Sequence, residues 1–425
     1  MAAPRRRVCL VTTGQPSTNP RAVKEADALS EAGYDVRLIG AHWAPWADAA
    51  DRRLLASRQW PAEVIDWRRE SAPGLFWKSR IRHRAARACM ALPGLSSMCL
   101  SSAVSRVTPE LTKAASRVAA ELFIAHNLGA LPAAWTASRR CGALLGFDAE
   151  DFHSGEFPPD EQSRRRTAVE RAERHYLPRC DYVTAASQGI AEAYATLSGS
   201  QPVVILNVFP LASRPPARRP TGAHGPLTIY WFSQTIGPSR GLEDAVRAMG
   251  LLDDGEVELH LRGVWQAGYR EQLTRVATHA GVSRDRLVSH DPGDADEMVR
   301  LAAAFDVGLA IEPGTTPNSD ILLSNKVFTY LLAGNAVVLT RTSGQQRLLP
   351  SIDRCAVACD AGDERALALL LKAWARDRHA LEDARAASWE YGTRRYNWDS
   401  EKAIFLAQID ALFQETSRAA RGSAA

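Results

Sequence analysis

The sequence predicts an α/β fold built as two doubly wound domains. Three observations predict it. Apolar, strand-like runs alternate with amphipathic, helix-like runs through the first half and again through the second. A Pro-, Arg- and Gly-rich stretch, FPLASRPPARRPTGAHGP at 209–226, separates the two series as a linker does. The chain's 425 residues also exceed what one hydrophobic core usually supports. The domains are expected at 1–208 and 227–390. The segment 391–425 is expected to carry a helix that returns to the first domain, then a disordered tail.

The first series opens with VCLVTT (8–13), a continuous apolar run suited to a strand covered on both faces. Asn19 then caps a helix that has Pro20 at its first position and stops at Gly33. YDVRLIG is the second strand. The cycle repeats with ELFIAHN, a helix over 130–140, the strand ALLGFDAED, a helix over 164–176, DYVTAAS, a helix over 188–197 and PVVILN. After the linker come LTIYWFS, a helix over 241–251, VELHLRG, a helix over 269–280, RLVSHDPG and a helix over 294–304. DVGLAIEP, a helix over 324–333, AVVLT and RCAVACD follow, and helices from Glu364 onward close the domain. In the tail, Trp398, Ile404, Phe405, Ile409, Leu412 and Phe413 fall at helical spacing.

Composition excludes several classes. A net charge of +4 with no basic array interleaved with aromatics argues against nucleic acid. The seven cysteines are scattered, so neither a zinc cluster nor a disulfide framework is expected, and the reading is a cytoplasmic protein. MAAPRRRVCLVTTG has no apolar stretch ahead of a cleavage site and reads as a first strand rather than a signal peptide. No run of about 20 apolar residues marks a spanning helix.

The candidate chemistry sits at two helix heads in the second half. In NSDILLSNKVFTYLLAGNAVV (318–338) a polar Ser324-Asn325-Lys326 interrupts an apolar run just before a helix. The first N–H groups of a helix lack intrahelical partners, and with the dipole and a lysine they suit a pyrophosphate. In WFSQTIGPSRGLEDAVRAM (231–249), Gly237 and Gly241 allow close backbone approach, and Arg240 stands at a second helix head.

Taken in order, TTGQPSTNPRAVKEADALSEAGYDVRL, SRGLEDAVRAM, SNKVFTYLLAGNAVVLT and NWDSEKAIFLAQI resemble retaining glycosyltransferases of the GT-B fold, glycosyltransferase family 4 in particular. The resemblance spans nearly the whole chain. It implies two Rossmann-like domains facing across a cleft, with a nucleotide-diphosphate sugar on the second and a glycan or lipid-linked acceptor on the first. It implies sugar transfer with retention, without a bound metal or other cofactor, in cell-surface polysaccharide or glycolipid assembly. The same architecture serves nucleotide-sugar epimerases, and a non-catalytic subunit of an envelope-assembly complex is the third reading. GDADE (293–297) contains a DxD, but at a helix start its acids read as cap and dipole partners.

Carried over by position, the family's Arg and Lys in the first loop of the second domain fall on Gln234 and Arg240. Its two glutamates fall on Ile321 and Thr329, so both carboxylates are missing, and Ser319, Asp320 or Glu312 is expected to supply the contact. The resemblance makes His126, Arg240 and Lys326 the catalytic set. Gly14, Gln234, Gly237, Gly263, His290, Ser319, Asp320, Ser324, Asn325 and Thr329 become donor-side residues, with Arg262 a weaker one. Arg21, Asn127, Asp148, Asp151 and His153 are expected on the acceptor side. The stretch 67–107 mixes arginines with Trp67, Phe76 and Trp77 ahead of an uncharged segment, a pattern suited to an anionic membrane surface on the inner face of the cell membrane.

Overall fold

The structure, a computed structural model, describes residues 5–90, 96–199, 201–222, 225–253 and 255–422. The chain divides into two compact units, Met1–Ile205 with Lys402–Ala425, and Leu206–Glu401.

The first unit holds a seven-stranded sheet: β1 (Arg7–Thr12), β2 (Asp35–His42), β3 (Ala62–Asp66), β4 (Leu122–His126), β5 (Leu144–Ala149), β6 (Tyr182–Ala185) and β7 (Val203–Val204). The order is β3-β2-β1-β4-β5-β6-β7, and every pair is parallel. Val8 stands between Val36 and Leu122 at the centre, and β4 is buried along its whole length. That two-sided burial is why these strands read as unbroken apolar runs. Asn19 accepts from the Ala22 N–H and starts the helix Pro20–Glu31. Gly33, at φ +91°, turns the chain into β2.

The second unit holds β8 (Leu227–Ile236), β9 (Val257–Trp265), β10 (Leu287–His290), β11 (Val307–Ala310), β12 (Ala336–Thr340) and β13 (Ala356–Cys359), all parallel, in the order β10-β9-β8-β11-β12-β13. In both units the strand order reverses beside the first strand, between β1 and β4 and between β8 and β11. At such a reversal the flanking loops part, and a crevice opens beyond the carboxyl ends.

Some elements differ from the sequence reading. β3 and the helices Asp48–Ala56, Pro317–Ile321 and Ser343–Leu348 are additional. The segment 294–304 is a 3-10 turn, Ala295–Glu297, followed by the five-residue helix Met298–Ala302. The division falls at Ile205/Leu206, so the described part of 209–226 belongs to the second unit. Its arginines hold it there: Arg214 lies 4.4 Å over the Trp389 ring, Arg218 pairs with Glu382, and Arg219 meets Asp306 at 2.7 Å. The helix Trp398–Gly422 joins the first unit from Lys402 onward, where Phe405, Ile409, Leu412 and Phe413 are buried. There the Tyr34 hydroxyl donates to Asp410 at 2.6 Å. Residues 423–425, the end of the expected disordered tail, lie outside the described residues.

Candidate anion site on the second unit

Three loops meet where β8 and β11 diverge. β8 ends at Ile236, and a turn through Ser239 (φ +58°) and Gly241 (φ +73°) leads to the helix Leu242–Gly250. A Cβ on Gly241 would lie 3.1 Å from the Ile311 carbonyl oxygen, so both the left-handed backbone and the close approach require glycine here. β11 runs out through Ile311 to Glu312. The third loop ends at Ser324, the N-cap of the helix Asn325–Ala333, and Gly334 in the left-handed region terminates that helix.

Lys326 is 6% exposed, although it lies in the first turn. Its Nζ meets Glu312 Oε1 at 2.9 Å and lies 3.4 Å from Ser324 Oγ and 5.4 Å from the centre of the Trp231 ring. An ammonium in an apolar setting needs a counter-charge, and Glu312 supplies it. Burial pushes the Glu312 carboxyl up, but Lys326, then Ser324 and Arg240, outweigh that and hold it below the usual carboxylate range. The two cations expected to meet a diphosphate therefore both act on one carboxylate. The Ser324 hydroxyl makes no capping bond to the helix, so it does not occupy the helix's leading N–H groups. A small recess lined by Gly241, Ile311, Glu312, Thr340 and Cys359 adjoins the pair.

The other expected donor-side residues are placed as follows. Asn325 is exposed at the helix head. Thr329 is wholly buried, and its hydroxyl donates to the Asn325 carbonyl within the helix. Ser319 closes a capping box with Thr316. Both Asp320 carboxylate oxygens accept from Ser343, from N–H at 2.9 Å and Oγ at 2.6 Å, so Asp320 fastens the head of the helix Ser343–Leu348. Gln234 is exposed at the register shift of β8, and Gly237 is buried against Gln266. At Gly263 (φ +145°) a Cβ would lie 2.2 Å from the Ser233 carbonyl oxygen, so its close approach is to the neighbouring strand. His290 Nε2 lies 3.0 Å from His260 Nδ1, and burial holds both imidazoles below their ordinary range. Arg262 donates to the Tyr230 hydroxyl at 2.9 Å and to the Asp291 carbonyl at 2.6 Å.

On the first unit, three of the expected residues form one buried ionic cluster. Arg21, expected to face a cleft, is 1% exposed and binds Asp148 with both arms of its fork, Nε to Oδ2 at 2.5 Å and Nη2 to Oδ1 at 2.6 Å. Its third arm donates to the Ile205 carbonyl at 2.7 Å. Asp148 also accepts from the Thr184 hydroxyl at 2.6 Å. His126, expected at a ligand-facing strand end, is instead fully buried, with Glu25 3.1 Å from Nε2 and Asp148 3.3 Å from Nδ1. Burial opposes its charge, but Glu25, Asp148 and Glu150 overcome that and raise its pKa well above the ordinary histidine value. Glu25, His126 and Asp148 offer ligand atoms within 4.8 Å of one another. Asp148 is already engaged by the Arg21 guanidinium and the Thr184 hydroxyl, so this donor set suits internal charge pairing better than a metal.

Asn127 stands just beyond β4 in the left-handed region (φ +70°), and its Oδ1 accepts from the Thr12 and Thr13 hydroxyls, each at 3.2 Å. Gly14 is half-buried at the end of β1, and its carbonyl accepts from the Ala41 N–H at 3.0 Å. His153 Nε2 accepts from the Leu128 N–H at 3.2 Å, while Nδ1 faces Glu156 at 2.8 Å. The Asp151 carbonyl accepts from Tyr194.

Sequence reasoning gave Glu25 no role and Glu312 only a secondary one. Glu25 carried a signal, since it lies four residues after Arg21 on one helix face. Glu312 carried another, as a carboxylate just past the end of a buried strand.

Neither a protein-family model nor a curated protein matches the chain. Solved structures do. HepE from Anabaena, crystallised with UDP and glucose, matches 96% of this chain over 100% of its own, at 16% identity and TM-score 0.70. Sucrose-phosphate synthase from Thermosynechococcus elongatus matches 98% of this chain over 100% of its own, at 14% identity and TM-score 0.70. A glycosyltransferase from Rickettsia africae matches 97% over 99%, at 8% identity and TM-score 0.66. At these identities the likeness speaks for the fold, and it covers both units: the chain has the GT-B fold, two Rossmann-like domains in succession.

Proposed function

We propose that the protein is a nucleotide-sugar-dependent glycosyltransferase of the hexosyltransferase type, acting with retention and without a metal. The carrying observation is the buried Lys326 at an uncapped helix head, its charge shared with Arg240 through Glu312 at the strand-order reversal of the second unit. The fold neighbours crystallised with UDP and UDP-glucose support a nucleotide-diphosphate donor. As the sugar–phosphate bond breaks, negative charge grows on the leaving diphosphate. Lys326, Arg240 and the leading N–H groups of the helix Asn325–Ala333 then stabilise it with little reorganisation. Glu312 holds Lys326 in place until the diphosphate takes a share of its charge.

The acceptor in this reading is a glycan or lipid-linked saccharide, and the product a cell-surface polysaccharide or glycolipid, made on the cytoplasmic side. A peripheral membrane contact is part of the proposal. On the helix Pro73–Cys89, Trp77 is 48% exposed and Ile81 68%; Arg80 of that helix and Arg69 just ahead of it lie 6.0 and 5.8 Å from the centre of the Trp77 ring. Residues 91–95 of that stretch lie outside the described residues. No helix among the described residues is long and apolar enough to cross a membrane.

A thermal-shift panel of nucleotide-diphosphate sugars, with and without EDTA, tests the reading. One or more sugars should raise the melting temperature equally in both conditions, and Lys326→Met should abolish the shift. Nucleoside diphosphate should then be released only when an acceptor is added. Binding without release under any acceptor would make the chain a non-catalytic subunit, and conversion without an acceptor would make it an epimerase.

A further inference from the structure

Two cysteines of the first unit lie on two adjacent helices. Cys89 is the last residue of the helix Pro73–Cys89, and Cys99 lies in the first turn of the helix Ser96–Val104. The two helices lie along each other. His83 Nδ1 lies 2.6 Å from the Ser102 carbonyl oxygen, and Arg87 donates to the Ala103 carbonyl at 3.3 Å. The helix pair is anchored near both thiols. Arg171 donates to the Met90 carbonyl at 2.8 Å, and the side chains of Met90 and Leu100 are buried. Both cysteines are half-buried, so a small reagent reaches them, whereas Cys9, Cys355 and Cys359 are buried. The His83–Ser102 and Arg87–Ala103 contacts hold the two helices side by side and bring Cys99 alongside Cys89; burial, then the Cys89 thiol, hold the Cys99 thiol above the ordinary range. Cys141, by contrast, is exposed, with its thiol directed to the Val118 carbonyl.

We propose that Cys89 and Cys99 form a redox-sensitive dithiol that closes to an intramolecular disulfide by exchange with a low-molecular-weight disulfide. One cysteine, as its thiolate, attacks the small disulfide and displaces one small thiol, which takes up the proton. The second, as its thiolate, attacks the resulting mixed disulfide and displaces the other. The protein loses two protons and two electrons, the small disulfide gains both, and no further oxidant is needed. The elevated pKa of Cys99 makes the exchange slow near neutral pH and faster as pH rises. The bond fastens the end of the helix that presents Trp77 and Ile81.

The test uses the full chain carrying Cys141→Ser, incubated with oxidised glutathione, alkylated after unfolding and mapped by mass spectrometry. The expected result is loss of alkylation at Cys89 and Cys99 together, a linked peptide pair joining those two residues, and reversal by dithiothreitol. With Cys89→Ser or Cys99→Ser added, the linked pair should vanish, and the remaining cysteine should carry glutathione or stay free. A stable glutathione adduct on Cys89 or Cys99 in the chain holding both, or alkylation of both after prolonged incubation, overturns the proposal.

Discussion

Replacing Lys326 with methionine keeps most of the side-chain volume and removes the charge. It leaves Glu312, only 12% exposed, without its partner at 2.9 Å. Breaking a buried pair by removing one member costs about 3–5 kcal/mol, because the other charge stays desolvated. Arg240 also acts on Glu312, which places the expected cost at the lower end, about 3 kcal/mol. For a unit of this size that corresponds to roughly 6–12 °C in melting temperature. Glu312→Gln alone removes the same attraction from the other side. The double variant removes both charges, so a double-mutant cycle should return a coupling of about 2 kcal/mol, with the double variant more stable than Lys326→Met. The assay is thermal unfolding of the four proteins at neutral pH and moderate salt. A shift below about 2 °C for Lys326→Met, or a double variant no more stable than that single variant, would show that the two residues do not form the pair described. Acid adds a check. The folded Glu312 carboxyl titrates below its unfolded value, so its contribution is complete above the ordinary carboxylate pKa and is lost as pH falls through the folded one. The gap between wild type and Glu312→Gln should therefore be constant near neutrality and close only in strongly acidic buffer.

Other consequences are equally direct. Arg21→Met leaves Asp148 buried without its guanidinium and should cost about 3–5 kcal/mol, read by urea unfolding. The folded His126 titrates far above its unfolded value, so the stability it contributes is present below about pH 6.5 and declines as pH rises toward the folded value. Histidine NMR should show it still charged at mildly alkaline pH, and a His126→Asn variant should differ most from wild type on the acid side. Asp320→Ala should cost about 1 kcal/mol through the lost helix-head bonds to Ser343 and leave the KM of any nucleotide-sugar donor unchanged. A large rise in that KM would return Asp320 to the donor site.

The central strands were legible because burial on both faces forces uninterrupted apolar runs, as in LFIAH and AVVLT. β3, AEVID, escaped because it lies at the sheet edge, half-buried throughout, and carries two charges in five residues. Short helices such as Pro317–Ile321 escaped because one turn shows no period. The polar head of the helix Asn325–Ala333 stood out because a lysine inside an apolar run demands a partner, although the run did not name Glu312. Arg21 and His126 show the converse. An arginine in a first helical turn looks the same whether it meets solvent or a buried carboxylate, and what decides is Asp148, 127 residues along the chain from Arg21. Local pattern reports which segments are covered. Which charges are covered with them is settled by chain crossings that no window of sequence contains.

The first unit also has an unusual biography. Its sheet is translated ahead of the whole second unit, but Phe405, Ile409 and Phe413, which belong to its interior, follow only after that unit. Until they arrive, the nascent unit waits with an apolar stripe uncovered. A nonsense codon near position 400 would leave almost all of the second unit encoded, yet its damage should fall on the unit made before it, which would then be a substrate for holdase chaperones and proteases.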